Sequence, residues 1–182
     1  MKWLILLFVL ISYPSFSAGS SVHLVHQEVK EVNKQQFIKY VIDPTLKKLG
    51  LYSESASNLL TMIAAHESMK GHYIVQTTGQ AKGLFQMEDA THDYLLTWLK
   101  SNKPELYKAV VAMGDNDPSA MKMVTDLDYA TAMARVFFLR FPEALPSGKD
   151  VDAMSAYAKR RWNTHMGKAT PEDYKKAYLS WK

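Results

Sequence analysis

The sequence predicts a mainly α fold, and two observations carry that prediction. Apolar residues recur three and four positions apart over several stretches, which is the period of a helix with one buried face. Helix-starting residues stand directly in front of these stretches, among them Asn33, Asp150 and Thr170. Extended structure is expected only as a small β element near residues 72–82, where a short apolar run borders a polar loop.

The first half of the chain predicts three helical segments. Asn33 opens a helix that should direct three side chains inward, namely Phe37, Tyr40 and Val41. Pro44 restarts a short helical turn, because proline suits the first position of a helix. Ser53 or Ser55 then caps a longer helix, which closes before Gly71.

The second half predicts further helices joined by short loops. Apolar positions and capping residues place them at 88–100, at 104–113, after Asp117-Pro118, from Asp126 or Asp128 to Arg140, at 150–162 and from Thr170 onwards. The last start, Thr170-Pro171-Glu172-Asp173, combines a capping pair with proline at the first helical position.

Length and composition indicate one globular domain, which we place at residues 33–182. A chain of 182 residues is long enough to bury a core. Its 47% hydrophobic and 22% charged residues are ordinary for a soluble protein. The sequence has no cysteine, which excludes disulfides, thiolate metal sites and lipid attachment through cysteine. The six histidines show no metal-binding spacing, so we expect no cofactor.

The first 17 residues predict a signal peptide. Met1-Lys2 precede an apolar run that is too short to span a bilayer, and small residues follow near Ser17. Residues 18–32 are then a linker or a frayed N-terminal segment. Removing Lys2 changes the formal net charge from +4 to +3, which is mildly basic. We therefore expect an exported protein, periplasmic or secreted, with no stable membrane anchor after cleavage; the alternative is an uncleaved anchor.

Glu67 is the candidate catalytic residue. It follows Leu60, Ile63 and Ala64 at the spacing of one helix face. A carboxyl group on a buried stripe is uncommon unless it is paired or functional. Partial burial raises the pKa of a carboxyl group, which suits a general acid near neutral pH. The alternative is that Glu67 lies at the edge of the stripe and only caps or pairs at the surface.

The residues around Glu67 form a longer pattern. It comprises Glu67-Ser68, then Thr77-x-x-Gln80-Ala81-x-Gly83-Leu84-Phe85-Gln86, then Thr91. This pattern resembles the signature of the soluble lytic transglycosylases, the peptidoglycan-cleaving members of the lysozyme-like superfamily. Three positions depart from the family pattern: Thr77 replaces serine, Gln80 replaces glycine and Phe85 replaces methionine. The match covers about two dozen residues of the chain.

A second, weaker match concerns Tyr157. The family carries Ala-Tyr-Asn-Ala-Gly, whose tyrosine points at the catalytic glutamate. Here Ala156-Tyr157-Ala158-Lys159 keeps alanine and tyrosine but lacks the asparagine and the glycine. The resemblance thus makes Tyr157 a site residue that orients Glu67 or the substrate. The alternative is a core tyrosine on an amphipathic helix.

The resemblance implies a lysozyme-like helical domain that acts on peptidoglycan glycan strands. Glu67 would protonate the glycosidic oxygen and then, as a base, assist ring closure to 1,6-anhydro-N-acetylmuramic acid, so no second enzymic carboxylate is needed. Ser68, Thr77 and Gln86 would contact substrate, although Gln86 could equally be a buried structural amide. The setting would be a secretion system, a conjugation apparatus, a phage or general wall turnover.

Other readings of the sequence remain. A muramidase with water as nucleophile is one alternative, and a non-catalytic wall-binding or assembly module is another. Glu88 and Asp89 should stabilise the start of a helix rather than act as a second acid. The cluster Lys159-Arg160-Arg161 is most simply a solvated helix face, and no nucleic-acid motif accompanies it, so we expect no nucleic-acid partner. Four aromatic residues are candidate sugar platforms: Tyr73, Trp98, Tyr129 and Trp162.

Overall fold

A computed structural model describes residues 31–182. The predicted signal peptide at 1–17 and most of the segment at 18–32 lie outside the described residues. Among the helices in the described part, none is both long and apolar enough to cross a membrane.

The described chain is mainly α-helical, which confirms the predicted fold class. Its α-helices are α1 (Lys34–Phe37), α2 (Asp43–Lys48), α3 (Glu54–Glu67), α4 (Asp89–Asn102), α5 (Pro104–Met113), α6 (Lys122–Thr125), α7 (Leu127–Phe138), α8 (Val151–Ala158) and α9 (Pro171–Ser180). Two π-helical segments continue α1 and α8, at Ile38–Ile42 and Lys159–Asn163.

Side-chain caps start several helices where the sequence predicts them. Asn33, Ser53, Asp126, Asp150 and Thr170 each accept a hydrogen bond from a backbone N–H of the following first turn. Such caps satisfy backbone donors that have no partner within the helix. The helix expected after Asp117-Pro118 instead begins at Lys122, as α6.

The π turn at Ile38–Ile42 changes which side chains face the core. Pro44 has no N–H, and its ring would crowd the carbonyl of Tyr40 in a regular helix. The turn widens there, and the N–H of Asp43 bonds to the carbonyl of Ile38. As a result Ile42 is fully buried, whereas Tyr40 is 63% exposed. The prediction that Tyr40 points inward is therefore wrong.

Helix α3 runs through the core. Leu60, Ile63 and Ala64 are fully buried, as their spacing predicts. The helix packs against α7, α8 and α9. Because α9 lies along α3, the last described helix is brought beside the end of α3, where Glu67 stands.

The loop after α3 contains isolated β-bridges rather than strands within the described residues. Val75 pairs with Lys82, and Lys82 pairs with Met87. The small β element expected near residues 72–82 is thus reduced to single bridges. Gly83 has a φ of +71°, and a methyl group on it would overlap the carbonyl oxygen of Met123. Glycine at this position lets the loop lie directly on the residues of α6.

Candidate active site

Glu67 is the last residue of α3 and opens onto a large cleft. Its side chain is 16% exposed, so it is mostly withdrawn from water but reachable. The next residues turn sharply, since Met69 and Lys70 have φ values of +49° and +61°. Left-handed backbone at two consecutive non-glycine residues is uncommon and occurs where the surrounding structure holds it.

The cleft has a volume of about 1330 Å³. The turn and loop after α3, the start of α4, the end of α7 and the segment 159–167 form its walls. Three residues predicted for the site line it together, namely Glu67, Thr77 and Gln86. Thr91, the last residue of the motif, lines it as well.

Tyr174 holds the carboxylate of Glu67. Its hydroxyl donates a hydrogen bond to Oε1 of Glu67 from the first turn of α9. The ring of Tyr174 is fully buried and stacks on that of His66, with centroids 4.1 Å apart. Nδ1 of His66 lies 3.4 Å from the same Oε1 but makes no hydrogen bond. Glu67 is therefore held by one hydrogen bond from Tyr174, whose ring in turn stacks on His66.

Burial raises the pKa of the Tyr174 phenol, and the charge of Glu67 and the hydrogen bond to it add to the effect. A raised pKa keeps the phenol protonated, because ionisation would place a second negative charge beside the carboxylate. Tyr174 is therefore a permanent hydrogen-bond donor to Glu67 in neutral solution.

Gln86 reaches the cleft from a strained backbone position. Its φ is +47°, and its side-chain amide Nε2 donates to the carbonyl of Gly83 at 2.8 Å. The side chain is only partly buried. The NH₂ group of the Gln86 side chain thus helps to hold the loop, and the side chain also forms part of the cleft lining.

Ser68 has a structural position in the described chain, and its contact with substrate stays a prediction. It is fully buried and lies outside the cleft lining. Its hydroxyl donates to the carbonyl of Ala64 at 2.7 Å and accepts from the N–H of Gly71 at 2.9 Å. These bonds close the end of α3 and fix the turn that follows Glu67.

Tyr157 makes no hydrogen bond to Glu67 among the described residues, and its orienting role stays a prediction. It is 2% exposed, lies outside the cleft lining, and packs against Phe138 with ring centroids 5.7 Å apart. Its hydroxyl has no hydrogen-bond partner among the described residues. Burial raises the pKa of this phenol. The tyrosine that contacts the glutamate comes from α9 instead, at Tyr174.

The candidate sugar platforms separate into two groups. Tyr73 and Trp162 line the cleft, and both present at least part of a ring to solvent. Tyr129 is fully buried, and Trp98 lies outside the cleft. Of these four residues, Tyr73 and Trp162 are the two that line the cleft.

A second carboxylate lines the cleft as well. Glu88 is exposed and precedes α4 as its N-cap, but its side chain makes no capping hydrogen bond. Asp89 is instead paired with Lys82 at 2.5 Å. From the sequence, both acids were expected to stabilise the start of the helix. The structure places Glu88 in the cleft lining as well.

The cluster Lys159-Arg160-Arg161 also lines the cleft, and Arg140 joins it from the turn that follows α7. The expectation of a solvated helix face therefore describes only part of its environment. The π turn at Lys159–Asn163 lies at this wall, and such turns are frequent at functional sites. Among the described residues, no group of three or more metal-ligating side chains comes together.

Comparisons with protein-family models, with curated proteins and with solved structures found no match to this chain. A function is therefore inferred from the residues of the cleft.

Proposed function

We propose that this protein is a peptidoglycan lytic transglycosylase with Glu67 as its single general acid and base. The observation that supports this proposal best is the position of Glu67, mostly buried at the edge of a large cleft and held there by Tyr174. Thr77, Gln86 and Thr91, three further polar residues of the motif, line the same cleft.

The proposed reaction needs one carboxyl group in two roles. Glu67 first donates its proton to the glycosidic oxygen, and the bond between that oxygen and C1 of N-acetylmuramic acid breaks. The carboxylate then takes the proton from the C6 hydroxyl of the same sugar while that oxygen bonds to C1. The products are a 1,6-anhydro sugar and a free 4-hydroxyl on the leaving strand, and Glu67 regains its proton. Attack within one sugar has a high effective molarity and needs no enzymic nucleophile.

The hydrogen bond from Tyr174 suits this chemistry. It occupies Oε1 of Glu67 and leaves Oε2 for the proton that is transferred. It also fixes the rotamer of a side chain that ends a helix, where the carboxyl group would otherwise turn toward solvent. Positioning of this kind is a large part of what an active site contributes to rate.

The size of the cleft supports a polymeric substrate. Its volume of about 1330 Å³ is larger than the ~300–1,000 Å³ common for small-molecule sites. Tyr73 and Trp162 contribute aromatic surface to its lining, which suits sugar rings. A glycan strand is the substrate class that fits both features.

The test uses purified sacculi and product analysis by mass spectrometry. The parent protein should release muropeptides with anhydro ends, and Glu67→Gln should lower the rate at least about 1,000-fold, because the variant has no acid. Glu105→Gln is the matched control, since Glu105 is exposed on α5 and paired only with Lys108. Equal lysis by the parent and Glu67→Gln would refute the assignment.

Glu88 favours one second candidate, a muramidase that uses water. Glycoside hydrolysis usually takes two carboxyl groups on either side of the scissile bond, and Glu88 lies in the same cleft as Glu67. In that case the products carry reducing ends, and Glu88→Gln removes most of the activity. Anhydro ends together with an active Glu88→Gln variant would support the transglycosylase.

A further inference from the structure

The arginines of this chain are concentrated at the cleft. The sequence contains four, Arg135, Arg140, Arg160 and Arg161, all within residues 135–161, whereas lysines are spread along the chain. Three of them, Arg140, Arg160 and Arg161, line the cleft and are called the arginine wall below. Arginine differs from lysine because its planar fork of N–H groups matches the two oxygens of a carboxylate.

One member of the wall already has a carboxylate partner. Arg161 donates from Nε to Glu143 at 2.6 Å, and its Nη2 lies 2.5 Å from the same oxygen. Its guanidinium group also lies 4.4 Å from the ring centroid of Phe141. The charge of Arg161 is therefore balanced within the protein, and we assign it a structural part in the wall.

Arg140 and Arg160 differ from Arg161 in this respect. Among the described residues, neither one forms an ion pair with a carboxylate. Nε of Arg140 donates to the carbonyl of Phe137 at 3.1 Å, a neutral acceptor. Arg160 makes no side-chain hydrogen bond in the described part of the chain and is exposed. Both charges thus line the cleft without an ion-paired carboxylate of their own, although the charge of Arg160 also acts on Glu143, the partner of Arg161.

Aromatic rings hold both of these guanidinium groups. Arg140 lies 4.3 Å from the ring centroid of Phe137 and 5.3 Å from that of Tyr94, and Arg160 lies 5.2 Å from that of Tyr157. Contact with a ring face restricts the plane of the guanidinium group and leaves its edge N–H groups accessible. Nε of Arg140 is already used by the carbonyl of Phe137, so its terminal N–H groups, together with those of Arg160, are the donors left for an anion that has two oxygens.

We propose that Arg140 and Arg160 form a subsite for free carboxylates of the peptide stem next to the bond that Glu67 cleaves. This inference rests on the proposed function, since only muramic acid carries the stem. The arginine wall and Glu67 line the same cleft, so one strand can occupy both. The subsite makes the enzyme selective for wall polymer with ionised stems over polymer with amidated stems and over neutral glycan.

The test separates binding from cleavage. Glu67→Gln protein is sedimented with native sacculi and with sacculi whose stem carboxyl groups have been converted to amides. We expect amidation to weaken binding by about tenfold or more, as for the loss of a charge-assisted hydrogen bond. Adding Arg140→Gln and Arg160→Gln should weaken binding to native sacculi by a similar factor and remove the effect of amidation.

Two control variants distinguish a subsite from general attraction. Lys39→Gln with Lys108→Gln removes the same charge from two exposed positions outside the cleft lining and should leave the amidation effect unchanged. The variant with Arg140→Lys and Arg160→Lys keeps both positive charges but lacks the planar guanidinium groups. It should lose most of the preference for native over amidated sacculi. The subsite is refuted if the variant with Arg140→Lys and Arg160→Lys distinguishes native from amidated sacculi as well as the arginine protein does. It is also refuted if the variant with Arg140→Gln and Arg160→Gln keeps the same ratio of affinities for native and amidated sacculi as the arginine protein. Binding that depends on the arginines but not on amidation also refutes it, because another wall anion is then bound.

Cleavage assays distinguish failure of the subsite from failure of the proposed function. Anhydro products with no arginine-dependent discrimination would refute the subsite and leave the function intact. Discrimination in the binding assay with no bond cleavage by the parent would support carboxylate recognition and refute the enzymatic proposal.

Discussion

The hydroxyl of Tyr174 donates a hydrogen bond to Oε1 of Glu67, and 107 positions of sequence separate the two residues. The contact exists because α9 packs along α3 and because the capping box at Thr170 sets the start of α9. The acid of the cleft thus depends on a tyrosine from the opposite end of the domain.

Removing this hydroxyl should slow catalysis more than it weakens binding. In Tyr174→Phe the carboxyl group loses its fixed rotamer, and we expect kcat to fall about 10- to 100-fold with a small change in KM. Steady-state kinetics measure both constants, with Tyr157→Phe as the control. A larger loss in Tyr157→Phe would return the orienting role to Tyr157.

The raised pKa of Tyr174 predicts a loss of stability in alkali. Burial first, then Glu67, keeps this phenol protonated in the folded protein above the ordinary tyrosine value of about 10. The unfolded chain releases the proton near that value and so binds fewer protons than the folded one. The free energy of unfolding is therefore unaffected by this group below about pH 10 and falls as pH rises further.

Urea unfolding between pH 8 and pH 11 tests this sign. Tyr174→Phe should show a shallower decrease of stability with pH than the parent. Tyr40→Phe, which changes a largely exposed ring, should keep the slope of the parent. Equal slopes for all three proteins would show that the phenol of Tyr174 ionises in the folded state.

Local features of the structure are the ones that the sequence predicts well. The buried stripe of α3 follows from spacing over seven residues, and the caps at Asn33 and Thr170 follow from residues within one turn. Glu67 and Gln86 line one cleft, and the motif names both of them. Each of these signals lies within about two dozen residues of sequence.

Features that depend on distant packing are not predictable in this way. Nothing in the spacing of the last helix links Tyr174 to Glu67. The arginine wall forms because the turn after α7, which carries Arg140, and the π turn that carries Arg160 line one cleft. Glu143 from the intervening loop pairs with Arg161. A π turn also shifts the helical register. For this reason the side chain of Ile42 faces the core, where that of Tyr40 was expected.

Gly83 and Gly50 form a matched pair for testing the loop. Both have left-handed φ values, +71° and +66°, but a methyl group on Gly83 would overlap Met123, whereas one on Gly50 would meet open space. Gly50→Ala should destabilise by about 1 kcal/mol through backbone strain alone. Gly83→Ala should lose an additional ~1–3 kcal/mol through overpacking. Urea unfolding gives both values, and equal losses would mean that the contact with Met123 relaxes freely.

The last prediction concerns a buried polar contact away from the cleft. His92 is fully buried, with Nδ1 2.8 Å from Oδ1 of Asp93 and Nε2 2.7 Å from the hydroxyl of Tyr129. Because a carboxylate only accepts, Nδ1 carries the proton and Nε2 accepts from Tyr129. Burial raises the pKa of Tyr129, which keeps its hydroxyl a donor.

Tyr129→Phe should therefore destabilise the protein by about 1–3 kcal/mol, since it leaves Nε2 buried without a donor. Replacing both residues, as His92→Phe with Tyr129→Phe, should lose less than the sum of the two single changes, because the unpaired nitrogen is gone. Asp93→Asn, at an exposed side chain, should have the smallest effect. Unfolding free energies for the parent, Tyr129→Phe, His92→Phe and the double variant complete the cycle. Strict additivity of the two core changes would show that the hydrogen bond between His92 and Tyr129 adds nothing to stability.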